Sequence, residues 1–187
     1  MKIQPKSIKV RDIFEGYVDN GDDGVFAYGG KLAIRPAYQR EFVYSTEQAE
    51  AVMHTILKGF PLNVMYWVKV GNKKYEVLDG QQRTLSVMQY LKHQFPITIN
   101  GKKYYWDALP DDKFNSIMNY EFMIYICEGN ESEKLDWFKV VNIAGEKLTE
   151  QELRNSVYTG EWLSEAKKYF SKRNCAAKGL SDKYITG

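Results

Sequence analysis

Between Tyr75 and Leu91 the chain reads YEVLDGQQRTLSVMQYL. Apolar residues alternate as far as Leu78, the spacing of a half-buried strand. Past Arg83, the residues Leu85, Met88 and Leu91 recur at the spacing of one helix face. The period changes across Asp79, Gly80, Gln81, Gln82 and Arg83, so a strand has to run almost directly into a helix. Such a junction needs only a tight turn and a cap. This one carries a carboxylate, two amides and a guanidinium in a row.

The flanks decide what surrounds that junction. NVMYWVKV and KKYEVL read as strands, with Gly71-Asn72 as a two-residue hairpin turn between them. ITINGKKYYW reads as a second hairpin, turned by Asn100-Gly101 in the type I′ manner. KLAI, from Lys31 to Ile34, is a short strand ended by Pro36, and EFMIYICE is a buried strand. The segment STEQAEAVMHTILKGFP is a helix, opened by a Ser45/Gln48 capping box and stopped by Gly59 and Pro61. Its inward face is Ala49, Val52, Met53, Ile56 and Leu57. PDDKFNSIMNY, SEKLDWFKVVN, EQELRNSVY (opened by Thr149 and Glu152) and EWLSEAKKYFSKR are further helices. DNGDDGVFAYGG, from Asp19 to Gly30, is a loop, read either as a connector or as a lid beside a site. Strands fill the first two thirds and helices the last third. The expected class is therefore α+β, with residues 1–128 as one domain and 129–187 as a helical extension. Gly187 follows no cap or closing element, and the sequence reads as cut before a further domain.

Composition removes several functions. Only His54 and His93 are present, and no Cys/His spacing suits zinc, so zinc sites and His-dependent nucleophilic triads are not expected. Cys127 and Cys175 stand far apart, as in a reduced cytoplasmic protein. No stretch approaches the ~18 apolar residues of a membrane span. The formal net charge of +2 demands no polyanion, although the tail concentrates Lys167, Lys168, Lys172, Arg173, Lys178 and Lys183. Nothing points to haem or flavin.

A helix N-terminus is a natural anion seat, because its first N–H groups lack intrahelical partners and carry partial positive charge. At the junction, Gly80 permits close approach, Gln81 and Gln82 offer amides, and Arg83 offers a fork matched to phosphate oxygens. Asp79 can hold water or magnesium. The same residues can equally be a plain cap and an exposed first turn. Two further clusters stand beside this one: IRPAYQREFVY, with Arg35, Tyr38, Gln39 and Arg40, and FKVVNIAGEKLTEQELRN, with Asn142. Surface ion pairs and helix caps are the structural alternatives for both.

Taken together and in this order, IRPAYQREFVY, ILKGFPLNVMYW, YEVLDGQQRTLSVMQYL and VNIAGEKLTEQELRN resemble the DGQQR family, the N-terminal domain of GmrSD-type restriction endonucleases. The resemblance spans roughly Leu32 to Tyr158. It implies a ParB/sulfiredoxin-like α+β fold with a small mixed sheet and hairpins, followed by a helical C-terminal part. It also implies a bacterial, cytoplasmic protein of phage or modified-DNA defence, which binds a nucleoside triphosphate with magnesium and hydrolyses it. That nucleotide state would control a nuclease domain or subunit, of HNH type in many relatives and absent from this chain. Asp79, Gln81, Gln82 and Arg83 would then be catalytic, with Asp79 on the magnesium. Arg35, Tyr38, Gln39, Arg40, Gly80, Thr84 and Asn142 would bind the nucleotide. DNA would be met through the full-length protein. Sulfiredoxins carry a cysteine in this turn; Gln81 and Gln82 stand there, so that chemistry is excluded. The alternative is a DNA-binding or modification-sensing module without hydrolysis, using the basic tail with Arg35 and Arg40.

Overall fold

A computed structural model describes residues 1–35 and 44–130, and beyond them Ser132, Glu133, Asp136 and Trp137. Tyr38, Gln39, Arg40 and Asn142, the later helices and the basic tail lie outside the described residues.

The elements follow in the order β1 (Lys2–Lys9), α1 (Val10–Phe14), β2 (Val18–Asp19), β3 (Val25–Ala27), β4 (Leu32–Arg35), α2 (Thr46–Leu57), β5 (Met65–Gly71), β6 (Lys74–Asp79), α3 (Gln81–Leu91), β7 (Ile97–Ile99), β8 (Lys102–Tyr104), α4 (Asp111–Asn119) and β9 (Glu121–Glu128). Seven strands form one mixed sheet in the order β1-β9-β5-β6-β4-β3-β2, and β7 pairs with β8 apart from it. The pairs β4/β6 and β5/β9 are parallel; the others are antiparallel. The class is α+β, with a sheet larger than the small one expected. The added width comes from β2 and β3, the latter inside the Asp19–Gly30 segment expected to be a loop, and from β1, which pairs with β9 along its whole length, from Lys2↔Glu128 to Lys9↔Glu121. This edge strand is exposed over its first six residues, so it shows no alternation, and Pro5 is tolerated because an edge leaves one side unpaired.

The local signals near the junction hold. Ser45 caps α2: its hydroxyl accepts from the Gln48 N–H at 3.3 Å, and the Gln48 Oε1 accepts from the Ser45 N–H at 2.9 Å. Ala49, Val52, Met53 and Ile56 are buried, and Leu57 is partly so. Asn100 (φ 51°) and Gly101 (φ 78°) make the left-handed pair that a type I′ turn requires. The β5–β6 turn is shifted by one residue to Asn72-Lys73, with Gly71 still paired to Lys74.

The main core lies between the helices and one face of the sheet. The helix α3 buries Leu85, Met88 and Leu91 as its period requires, and also Thr84, Ser86, Val87 and Tyr90. It packs against both β4 and α2, so it has more than one inward side. The two extra hydroxyls are satisfied within the helix: Thr84 donates to the Gly80 carbonyl and Ser86 to the Gln82 carbonyl, each at 2.9 Å. A truncation such as Leu85→Ala would cost about 2–5 kcal/mol. The junction is therefore mounted on the most buried helix among the described residues.

Candidate functional site

The strand β6 ends at Asp79 and α3 begins at Gln81, so Gly80 alone makes the turn and occupies the N-cap position. Its φ is +95°, and an added Cβ would lie 2.6 Å from Met65 Cγ and 2.9 Å from Met65 Cβ. Glycine is thus demanded both by the backbone and by the buried Met65 beneath it. A glycine N-cap brings no side-chain acceptor, and the first turn of α3 contains no acidic residue. The helix α2 shows the contrast, with its Ser45 box and with Glu47 in its first turn.

Asp79 and Arg83 stand one helical turn apart and meet. Arg83 Nη2 donates to Asp79 Oδ2 at 2.7 Å. The same guanidinium donates through Nη1 to the Asn63 carbonyl, and through Nη1 and Nη2 to the Val64 carbonyl at 3.4 Å each. Arg83 therefore clamps the segment leading into β5 onto the turn, with its side chain 16% exposed against 35% for Asp79. Gln82 makes the next link: its Oε1 accepts from the Tyr44 N–H at 3.2 Å. Tyr44 closes the IRPAYQREFVY segment, so the amide joins two of the three sequence clusters. A shallow cleft of about 270 Å³ opens beside them, lined by Tyr44, Gln48, Val52, Thr55, Leu62 and Arg83.

Two of the residues expected to bind nucleotide, Thr84 and Arg35, are buried and have protein partners. Thr84 is fully buried, with its hydroxyl spent on Gly80 and against Met65 Sδ, so it serves the interior of α3. Arg35 is 8% exposed and donates to the Gly21 carbonyl at 2.6 Å, with Asp19 at 3.8 Å. Its described partners are Asp19, at the end of β2, and Gly21, in the loop that follows, which it fastens to the sheet. The Asp19 carboxylate in turn accepts from the Gly21 N–H at 2.9 Å.

Sequence reading missed Tyr66. It pairs with Asp79 across β5 and β6. Its ring lies 5.6 Å from that of Tyr125 and 5.8 Å from that of Trp137. Burial first, then Tyr125 and Asp79, push its hydroxyl above the ordinary tyrosine pKa. Counting back from the β5–β6 turn approaches this pairing, but two register shifts in the ladder hide it.

Among the described residues no three His, Cys, Asp or Glu side chains converge to hold a metal ion. Asp79 still has Oδ1 beyond its bond to Arg83. It fits a magnesium ion held as that ion usually is, by one carboxylate, water and the phosphates of a ligand.

These observations describe an α+β domain with a fixed aspartate–arginine pair at a glycine-capped helix N-terminus. Residues 14–159 match the family described as GmrSD restriction endonuclease, N-terminal domain, and the chain belongs to that family. It is thus a restriction endonuclease component. No curated protein and no solved structure matches it. Among the described residues no helix is long and apolar enough to cross a membrane.

Proposed function

We propose that this domain binds a nucleoside triphosphate with magnesium at the β6–α3 turn and hydrolyses it, and that the nucleotide state governs a nuclease domain or subunit elsewhere. The observation that carries the reading is the N-terminus of α3, which has a glycine cap, no acidic residue in its first turn, and the Asp79–Arg83 pair across it. The phosphates would meet the first-turn amides and Gln81. Asp79 would hold magnesium, or orient water, against them. Arg83 would keep Asp79 in place and offset phosphate charge, since phosphoryl transfer is largely positioning and charge stabilisation. The cleft beside Arg83 offers room for the sugar and base. Gln82, through Tyr44, would relay occupancy of the turn to the segment before α2.

The test is phosphate release and equilibrium binding with each common triphosphate and magnesium, on the parent chain and on Asp79→Ala. At least one triphosphate should bind and be hydrolysed, and the variant should lose turnover while unfolding cooperatively. Absence of binding by every triphosphate, or undiminished turnover in the variant, would overturn the proposal.

A further inference from the structure

The hairpin between β3 and β4 carries an unusual backbone. Tyr28, Gly29 and Gly30 have φ of 58°, 62° and 73°, three left-handed residues in succession. For tyrosine that conformation is strained and has to be held by its surroundings. On one side the Tyr28 ring packs edge-on against the buried Trp67, at 5.9 Å. On the other sides two ammonium groups hold it. Lys6 Nζ, from β1, lies 5.8 Å from the ring centroid and 3.4 Å from the hydroxyl. Lys31 Nζ, from the hairpin itself, lies 5.5 Å from the centroid. Strands far apart in the sheet order thus deliver two cations to one aromatic ring.

The cations are fixed without being neutralised. Among the described residues neither Lys6 nor Lys31 has a carboxylate within ion-pair reach. Glu128, at the end of β9, is taken by Lys69 at 2.9 Å. Gly29 and Gly30 are exposed with open space where a Cβ would stand, so a ligand can come close to their backbone. The Gly29 N–H is bonded to the Glu15 carbonyl, but among the described residues the Gly30 N–H has no acceptor. The adjoining hairpin adds charge: the Tyr75 N–H donates to the Lys31 carbonyl at 2.8 Å, which brings exposed Lys73 and Lys74 alongside.

We infer that Lys6 and Lys31, set about Tyr28 with the Gly30 N–H, form a contact for the phosphodiester backbone of a DNA duplex. Two cations held at one exposed hairpin, with Lys73 and Lys74 beside them, suit a repeating polyanion better than a small ligand. Phosphate contacts of this kind position a duplex without reading its sequence. The surface is separate from the β6–α3 turn, so it stands whether or not that turn takes a nucleotide.

The experiment is fluorescence anisotropy of a labelled duplex of arbitrary sequence, with the whole chain, between about 50 and about 200 mM salt. Removing one lysine–phosphate interaction lowers the slope of log affinity against log salt by roughly 0.9, so Lys6→Gln/Lys31→Gln should lower it by roughly two. Lys102→Gln/Lys103→Gln, on the separate β7–β8 hairpin, makes the same charge change and should barely alter the slope. The inference is overturned by an absence of duplex binding at low salt, by an unchanged slope in the first variant, or by equal losses in both. Displacement of the duplex by polyglutamate of equal charge as readily as by unlabelled DNA would also overturn it.

Discussion

Arg83 has two tasks in this structure, and they can be separated. Arg83→Ala removes a bond to the Asn63 carbonyl, weaker ones to Val64 and the ion pair with Asp79. A hydrogen bond to a charged group contributes about 1.5–3 kcal/mol, and the 3.4 Å interactions with Val64 contribute little. Asp79 is about one-third exposed, so its pair is worth less than a fully buried one. The loss should be about 2–4 kcal/mol, a fall in Tm of roughly 5–15 °C for a chain of this size. Asp79→Asn leaves the carbonyl bonds in place and keeps an acceptor for Nη2, so it should cost about 1 kcal/mol or less. Urea unfolding followed by tryptophan fluorescence measures both, and triphosphate turnover is read on the same samples. Asp79→Asn should abolish turnover in a nearly unperturbed fold, whereas Arg83→Ala should lose turnover and stability together. An Arg83→Ala chain within about 0.5 kcal/mol of the parent would show that the clamp contributes nothing in solution, and the reasoning from it would fail.

Gly80→Ala places a Cβ against Met65 at a left-handed backbone position. It should destabilise by about 2–5 kcal/mol, seen as a lower urea midpoint at unchanged slope; a loss below about 0.5 kcal/mol would refute the reading. Glu50 binds the Thr98 N–H and His54, joining α2 to β7. Burial pushes its carboxyl up, but those bonds outweigh it and hold the pKa below the usual value. Such a group adds stability above its unfolded pKa, about 4.3, and the gain is lost as pH falls through the lower folded value. Glu50→Gln should therefore lose less stability than the parent on acidification below about pH 4.3, and parallel curves would count against the assignment.

The junction at Asp79, the capping box at Ser45, the inward face of α2 and the Asn100-Gly101 turn were all legible because each is a local signal. The pairing of β1 with β9 was not, because an exposed edge strand carries no alternation and its partner lies more than a hundred residues away. The burial of Thr84 was hidden for a related reason: a hydroxyl that bonds back within its own helix can enter a core without violating polar satisfaction, and sequence shows only a polar residue. The bond from Arg35 to Gly21 was hidden because sequence cannot display the carbonyl that receives it.

Four residues of the motif thus divide by what the backbone asks of them. Gly80 is fixed by φ and by Met65, and neither demand involves a ligand. Arg83 is held by carbonyls that exist whether or not phosphate is present. What those two provide is a rigid frame in which Asp79 is held from one side and Gln82 reaches Tyr44 on the other. A ligand drawing Asp79 toward a metal would loosen one partner of the Arg83 clamp. One contacting the first turn would bear on the Gln82–Tyr44 bond. Both movements start from the same two turns of chain and lead to different places, the run into β5 and the segment before α2. Under the proposed function, occupancy of the turn by an anion would thus bear on two segments at once, through bonds that a simple helix cap does not make.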